Sequence, residues 1–317
     1  MAARLGAMTR IAMTRIAMTR IAIVTAIDSF ALDDDLPPLL DACARAELQA
    51  EVRAWDDRTV SWARYDTAIL RSPWDYTERL PEFLRWCERV ATTTHLINPL
   101  PILRWNTDKH YLADLEAAGL PTVPTRFVTP DSDPLIALST FLAEFPLATE
   151  FVVKPTIGAG SRDAQRYRRE QAFAAGNHLG DLLQRGRAAM LQPYLDAVDT
   201  LGETALLYFD GTFSHAIRKA ALLQPDLPPT DHTQWPDAIT MRVPEEDELQ
   251  LGEALMTAIA ARNGGEPLLY ARVDLIRDAE GQPRLLELEL IEPSLFFAES
   301  PGGADRFVAA LRRHLDR

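Results

Sequence analysis

Basic residues are in deficit: 33 Lys and Arg stand against 46 Asp and Glu, a formal charge of −13. A phosphate backbone needs a basic footprint, so this balance argues against a general nucleic-acid binder. An anionic small ligand would have to find its positive charge locally. Cysteine is scarce as well. Cys43 and Cys87 each fall in an amphipathic helical pattern without metal-ligand spacing, and they read as reduced core thiols of a cytoplasmic protein. No apolar run approaches the length of a membrane span. No Gly-x-Gly-x-x-Gly follows the first strand, which argues against a dehydrogenase-type dinucleotide fold. No Gly-Lys-Ser/Thr is present to close a Walker loop. What remains is globular in composition, 47% hydrophobic and 25% charged, and its 317 residues suffice for two or three lobes.

At the amino terminus Met-Thr-Arg-Ile-Ala occurs in tandem at Met8–Ala12, Met13–Ala17 and Met18–Ala22. That period is far too short for a solenoid. It reads as duplication around a start codon, with Met18 the functional start and residues 1–17 a peripheral leader. An acid-free, Arg-containing leader also fits a transit peptide, although nothing resembles a cleavage site. A buried strand is predicted over Arg20–Ala26 and a helix from Pro37 to about Glu47. Strands follow over 51–55 and 67–71, then a helix near 81–91 and a short strand at 95–98. Alternation of this kind implies a doubly wound parallel sheet. Ligands of such sheets collect beyond the carboxyl ends of the strands. The loop Arg71-Ser72-Pro73-Trp74-Asp75-Tyr76 is therefore a candidate substrate wall, with Arg71, Ser72, Asp75 and Tyr76 as polar contacts. A helix-entry loop with a packed Trp is the equal alternative.

Arg104-Trp105-Asn106-Thr107-Asp108-Lys109 leads into a helix predicted to end at Gly119, capped by Asn106, Thr107 or Asp108. Lys109 in its first turn opposes the helix dipole, a conflict that a bound anion would resolve and that an exposed lysine would avoid. Farther on, the apolar strand ending in Lys154 meets Thr156-Ile157-Gly158-Ala159-Gly160-Ser161-Arg162. A lysine beside a Gly-rich loop makes a phosphate clamp, because glycine lets backbone N–H groups approach the anion. Ala188–Leu195 is an apolar strand leaving through Pro193. Glu203 and Asp199 both follow it. Thr204–Tyr208 and Thr212–Arg218 form a hairpin across Asp210-Gly211. His215 reads as a structural or surface residue. Gln224 to Met241 is expected to be irregular, Glu245 to Asn263 helical, and Asp305 to Leu315 helical again.

The densest pattern is Leu268–Phe297, two apolar runs around a turn at Asp278, Gly281 and Pro283. Alternation puts Tyr270, Arg272, Asp274 and Ile276 on one face. With Ile276 opposite Leu285, Asp274 faces Glu287 and Arg272 faces Glu289. Carboxylates converging on a sheet repel one another, and a divalent cation would remove that penalty. A solvated strand face with an Arg–Glu pair is the bland alternative.

Arg-Val-Asp, a turn, and then Glu-Leu-Glu-Leu-Ile-Glu-Pro resembles the C-terminal signature of the ATP-grasp ligases. The Asn-x-Asp-Lys segment and the strand-Lys-Pro-Gly loop are similar to theirs in order and spacing. Within that superfamily, Trp-Asn-x-Asp-Lys, Arg-Ser-Pro-Trp-Asp-Tyr and Ser-His-Ala-Ile-Arg-Lys look most like the branch that forms D-cycloserine. The resemblance implies an α/β ATP-grasp fold, α+β in its C-terminal lobe. A doubly wound parallel-sheet domain over 18–103 would precede two lobes, 104–195 and 196–317, that clasp ATP. It implies ATP-dependent joining of a small amino-acid-type carboxylate to an amine, or cyclisation of one such molecule, with a non-catalytic nucleotide-binding protein as a further alternative. The implied cofactors are ATP and Mg²⁺ or Mn²⁺. The implied metal ligands are Asp274, Glu287 and Glu289, the last standing where many relatives carry Asn. ATP would be held by Lys109, Lys154, Gly158, Gly160 and Ser161, with Gln192, Tyr194 and Leu195 around adenine and Glu203 on the ribose. Arg218, preferred to Lys219, would face the transferring phosphate, and Arg272 the oxyanion. Ser72, Asp75, Tyr76, Arg162 and Ser294 are the implied substrate contacts. The partner is a small molecule rather than nucleic acid or membrane, and a homodimer is compatible with the sequence.

Overall fold

The structure is a computed structural model that describes residues 19–225 and 239–317. The expected leader at 1–17, the start at Met18 and most of the irregular segment from Gln224 lie outside the described residues.

The first sheet is built from β1 (Arg20–Thr25), β2 (Gln49–Ala54), β3 (Thr67–Ser72) and β4 (His95–Ile97), with α1 (Leu36–Arg45) and α2 (Leu80–Val90) as crossovers. The strands are parallel in the order β2-β1-β3-β4. Both faces are covered because the strand sequence is apolar without alternation. Ile21 and Ile23 pack with Leu39 and Cys43 of α1 on one side. Ala22 and Val24 pack with Phe83 and Trp86 of α2 on the other.

Next come α3 (Leu100–Asn106), α4 (Tyr111–Ala117), β5 (Arg126–Val128), α5 (Pro134–Glu144), β6 (Glu150–Pro155), β7 (Gln165–Arg168), α6 (Ala172–Gln184) and β8 (Ala189–Pro193). Strands β5-β8-β6-β7 make an antiparallel sheet, covered on one face by α5 and α6 through Phe141, Leu179 and Leu182. The sequence reading has no β7 and no α6. The helix expected to be capped by Asn106, Thr107 or Asp108 and to end at Gly119 begins only at Tyr111, and the separate helix α3 ends at Asn106 before it. The Asp108 carboxylate turns the chain by accepting the N–H of His110 at 3.1 Å, and the N–H of Lys109 goes to the carbonyl of Thr156 at 2.9 Å. Lys109 therefore sits in a turn against the end of β6, not in the first turn of a helix. Asn106 is no cap. Its side chain is buried against the last sheet, where it donates to the carbonyl of Leu288 and accepts from the N–H of Leu290, both at 2.9 Å.

The last sheet holds β9 (Glu203–Phe209) after the short α7 (Val198–Leu201), then β10 (Thr212–Lys219), β11 (Ile239–Arg242), β12 (Tyr270–Arg277) and β13 (Pro283–Glu289). Its antiparallel order is β11-β10-β9-β12-β13. Ile239–Arg242 forms an edge strand where irregular chain was expected to Met241. Helix α8 (Glu246–Arg262) lies on one face, Leu251, Leu255 and Ile259 packing on Leu206, Val273 and Leu288. The approach is close at Gly252, where a Cβ would fall 2.1 Å from the Tyr208 hydroxyl. Helix α9 (Gly303–Leu315) returns to the start of the chain and packs Phe307 and Leu311 against α1 and Phe209. The other face of the sheet is open toward β6.

The β12–β13 register pairs Arg272 with Glu289 and Asp274 with Glu287, but Ile276 with Arg284 rather than Leu285. An extra residue on β13 opposite the Asp274–Leu275 step causes the difference. Leu285 consequently joins the core under α8, while Leu286 turns to the side of Ile276. Among the described residues no helix is long and apolar enough to cross a membrane.

Candidate functional site

A cleft of about 580 Å³ runs between the central and last sheets and opens along the carboxyl ends of the first. At its centre four cations face five carboxylates. Strand β12 projects Arg272 and Asp274, β13 Glu287 and Glu289, β9 Glu203, β10 Lys219 and β6 Lys154, while Lys109 comes from the turn before α4 and Glu292 from beyond β13.

The Lys109 ammonium donates to Glu287 at 2.9 Å and to the carbonyl of Gly158 at 2.7 Å. Lys219 donates to Asp274 at 2.9 Å and also pairs with Glu203. Arg272 grips Asp274 from two nitrogens, at 3.0 and 2.9 Å, and shares one of them with Glu289. Among the described residues Lys154 has no partner. Burial pulls its pKa down and the Lys109 charge adds to this, with Glu287 only partly opposing them. For Asp274 burial works upward, yet Arg272 and Lys219 outweigh it and hold the carboxyl below its usual range. Burial, reinforced by Glu287 and Asp274, lifts Glu289 to about 8 in spite of Arg272. Glu292 is lifted by burial to about 7, while the Tyr76 hydroxyl at 2.8 Å and Lys109 pull the other way.

The loop after β6 borders this centre. Gly160 has φ +62° and Ser161 φ +58°, so the chain bends left-handed over the cleft there. Gly158, Gly160 and Ser161 line the cleft, as does Arg162, which pairs with Glu78 across the opening. At the far end stand Gln192, Tyr194 and Leu195 from β8 and just beyond, opposite Ile276 and Leu286. The Gln192 amide donates to Thr125 at 2.9 Å. The Tyr194 hydroxyl donates to Asp199 at 2.6 Å, and its ring lies 3.6 Å from the guanidinium carbon of Arg166. Of the two acids weighed for the ribose, Asp199 is engaged by Arg166 at 3.0 Å and is not among the residues lining the cleft, whereas Glu203 lines it while paired with Lys219.

Five of the expected site residues are placed elsewhere. Arg218 points away from the cleft and donates to the carbonyls of Leu201 at 2.8 Å and Thr200 at 3.1 Å, whereas Lys219 points in. Alternation along β10 forces that choice, and the apolar neighbours of both residues hid it in the sequence. Ser72 is fully buried and donates to the Thr25 hydroxyl at 3.0 Å. Asp75 accepts from Trp55 Nε1 and from Arg79, both at 2.8 Å. Tyr76 lies beneath Glu292. The residues of this loop that line the cleft are Trp74 and Thr77 instead. Arg71, also expected as a contact, is a buried support whose guanidinium donates to the carbonyl of Pro293 at 2.9 Å. Ser294 does line the cleft, and its carbonyl accepts from Arg272 at 3.4 Å. His215 is structural: its Nε2 lies 2.8 Å from the carbonyl of Leu295, and burial lowers its pKa to about 4. Sequence reasoning passed over Lys219, Glu292 and Asp33. Glu292 carried a signal, since it closes the Glu-Leu-Glu-Leu-Ile-Glu run.

Among the described residues no group of three or more His, Cys, Asp or Glu side chains is gathered so as to hold a metal ion by itself. Lys109, Lys219 and Arg272 occupy the carboxylates. The donor set nevertheless suits Mg²⁺ or Mn²⁺, which take one or two carboxylates and complete their shell with phosphate oxygens. Burial is the main cause of the upward push on Glu289, with Glu287 and Asp274 adding to it, and a bound cation would favour the charged carboxylate against both.

A family model described as the N-terminal domain of D-cycloserine synthetase DcsG matches residues 21–98. The cycloserine biosynthesis protein DcsG of Streptomyces lavendulae is 48% identical over 294 residues, covering 92% of this chain and 98% of that one. The crystal structure of D-cycloserine synthetase DcsG superposes with a TM-score of 0.89 at 48% identity, over 93% of this chain and 99% of that one. A RimK-domain ATP-grasp protein from Sphaerobacter thermophilus gives a TM-score of 0.63 at 13% identity, over 92% and 99% of the two chains, and shows the shared fold.

Proposed function

The chain belongs to the D-cycloserine synthetase family of ATP-grasp ligases, and from that premise we propose that it closes a ring within one amino-acid-derived substrate. As a member it is an ATP-dependent ligase that forms C–N bonds and releases ADP. Cyclisation, not the joining of two molecules, is the reading favoured by its likeness to a cycloserine-forming relative along 92% of its length. The observation that carries the chemistry is the set Lys109, Lys154, Lys219 and Arg272 against Asp274, Glu287 and Glu289 in one cleft.

A carboxylate resists amines because its oxygen leaves poorly. Its attack on the γ-phosphorus breaks the bond to the ADP oxygen and creates an acyl phosphate. The nitrogen then attacks the carbonyl carbon, phosphate leaves with the electron pair, and the nitrogen loses its proton. Phosphoryl transfer asks mainly for positioning and charge. In our reading Lys109, Lys154 and Lys219 supply positive charge around the phosphates from the central and last lobes, 104–195 and 196–317. Among the described residues Lys154 is the cation of this set without a partner before nucleotide arrives. Arg272, replacing Arg218 as the key guanidinium, faces the oxyanion. The adenine lies among Gln192, Tyr194, Leu195 and Leu286, with the ribose near Glu203. Asp274, Glu287 and Glu289 would hold Mg²⁺ or Mn²⁺, which when bound neutralises phosphate charge. The loop 157–162, tied across the opening by Arg162 and Glu78, keeps water from the acyl phosphate.

The test is the product formed from β-aminooxy-D-alanine, the ring-opened form of D-cycloserine, with ATP and Mg²⁺. D-cycloserine appearing in step with phosphate supports the proposal. A product with the mass of two molecules less one water refutes it and leaves a joining ligase.

A further inference from the structure

The end of the cleft away from the phosphate-facing lysines is acidic. Asp33, Asp34 and Asp35, from the loop between β1 and α1, line it together with Glu299. Asp35 is spent on structure: its carboxylate accepts the N–H groups of Leu295 at 2.5 Å, Phe296 at 3.2 Å and Phe297 at 2.8 Å. Asp33 is different. Only 6% of it is exposed, and one carboxylate oxygen accepts the N–H of Asp35 at 3.0 Å, while Oδ2 has no partner. The nearest cation, Arg71, is 1% exposed, donates to Pro293 and lies 3.5 Å from Asp35; it makes no direct ion pair with Asp33, and burial raises the Asp33 carboxyl although the Arg71 charge and the Ser72 hydroxyl pull it down. A buried, half-satisfied carboxylate at the wall of a cleft is costly unless a donor arrives.

The charges acting on each end differ. Lys109 is governed by Glu287, Glu292 and Glu289. Burial raises the Glu299 carboxyl, and Asp35 and Asp34 raise it further. The cleft thus carries charge of both signs, with cations where phosphates and a reacting carboxylate would lie and, around Asp33, Asp34, Asp35 and Glu299, carboxylates in excess of the one buried guanidinium of Arg71.

From this we infer that Asp33, backed by Asp34 and Glu299, is the subsite for the ammonium group of an amino-acid substrate, Asp33 Oδ2 accepting its N–H. The ligand used to test this rests on the ring-forming reading above; the acidic subsite itself requires only an amino acid. Its chemical purpose follows from the product. D-cycloserine retains a primary amine beside the ring, so the enzyme must activate a carboxylate without letting that amine react. An amine held as ammonium against a carboxylate has no lone pair to attack with, which leaves the oxygen-linked nitrogen to close the ring.

The experiment is calorimetric binding, in the presence of ADP and Mg²⁺, of D-cycloserine and of isoxazolidin-3-one, the same ring without the amine. A charge-assisted hydrogen bond predicts that the intact protein prefers D-cycloserine by about tenfold or more. Asp33→Asn keeps the oxygen that accepts from Asp35, and it should bring the two ligands within about twofold by weakening D-cycloserine alone. Nucleotide affinity, measured on the same samples, reports that the variant is folded. Equal binding of both rings by the intact protein overturns the inference. So does a preference that survives in a variant that still binds ADP. If neither ring binds, the ring-forming reading falls, and D-serine against 3-hydroxypropanoate as phosphate-releasing substrates decides the subsite by the same tenfold criterion.

Discussion

Lys219 and Arg218 are neighbours with opposite fates, and substituting each in turn tests the account of the cleft. Lys219 is 7% exposed and Asp274 1%, and the ammonium also meets Glu203. Lys219→Met removes the cation from the buried Asp274 carboxylate and the half-buried Glu203 carboxylate. Breaking a buried pair in this way costs about 3–5 kcal/mol, because the charge left behind is uncompensated. A melting temperature lower by roughly 5–10 °C is expected in the absence of ligand. Loss of a positive group facing the transferring phosphate lowers kcat by about a hundredfold or more. The two effects separate in Lys219→Met/Glu203→Gln. Removing one surplus carboxylate returns much of the stability and none of the rate. Arg218→Met, by contrast, gives up two hydrogen bonds to carbonyls from a half-exposed side chain, about 1–2 kcal/mol, and leaves kcat within about twofold. Thermal denaturation and ATP-dependent phosphate release measure both quantities. The reasoning fails if Arg218→Met loses as much activity as Lys219→Met, or if Lys219→Met turns over normally.

Two more outcomes follow from the same cleft. Glu287→Gln should abolish Mg²⁺-dependent phosphate release while preserving the fold, since Lys109 keeps its bond to Gly158; an unchanged rate removes Glu287 from the metal site. The pH dependence of stability has a definite sign. Burial raises Glu292 from 4.5 to about 7, so the folded chain holds a proton that the unfolded chain has lost. That contribution is complete below the ordinary carboxylate range and disappears as pH rises through about 7, at most about 3 kcal/mol. The ligand-free protein should therefore lose stability from about pH 5 to pH 8, and Glu292→Gln should flatten the slope. A melting temperature that rises over this interval in the intact protein counts against Glu292 being buried and underneutralised.

The fold class and the pairing of Arg272 with Glu289 and Asp274 with Glu287 were legible because they depend on short-range regularities. Alternation along a strand, apolar runs bounded by turn residues, and the spacing of lysines from a Gly-rich loop all survive translation from chain to sheet. What escaped depends on contacts across more than a hundred residues. Asn106 looked like a cap because a helix start and a polar residue coincide there, and nothing local reveals that β13 needs its amide 182 positions away. The bulge that turns Leu286 to the cleft side of the sheet leaves no mark in a run of leucines and glutamates, where either register buries a leucine. Helix α6 and β7 were missed because Arg, Gln and Glu between Gln165 and Gln171 read as loop, although Arg166 and Arg169 are engaged by carboxylates and carbonyls of neighbouring elements.

The largest revision concerns Arg71-Ser72-Pro73-Trp74-Asp75-Tyr76. Polarity at the carboxyl end of a parallel strand pointed to substrate contact; the loop does border the cleft, but not through Arg71, Ser72, Asp75 or Tyr76. Ser72 is covered by β1, and Tyr76 and Arg71 reach under the Glu292–Pro293 turn, so the polar side chains hold two sheets together. Trp74 and Thr77 meet the cleft in their stead. The acid loop after β1 gains its meaning from the same packing. Asp35 ties the Leu295–Phe297 backbone to the first lobe, and that tie sets Glu299 beside Asp34 and leaves Asp33 facing the cleft with an oxygen to spare. An amino acid entering between these walls meets cations at one end and carboxylates at the other. Its own dipole then fixes which group is presented for phosphorylation before any specific contact to its side chain is made.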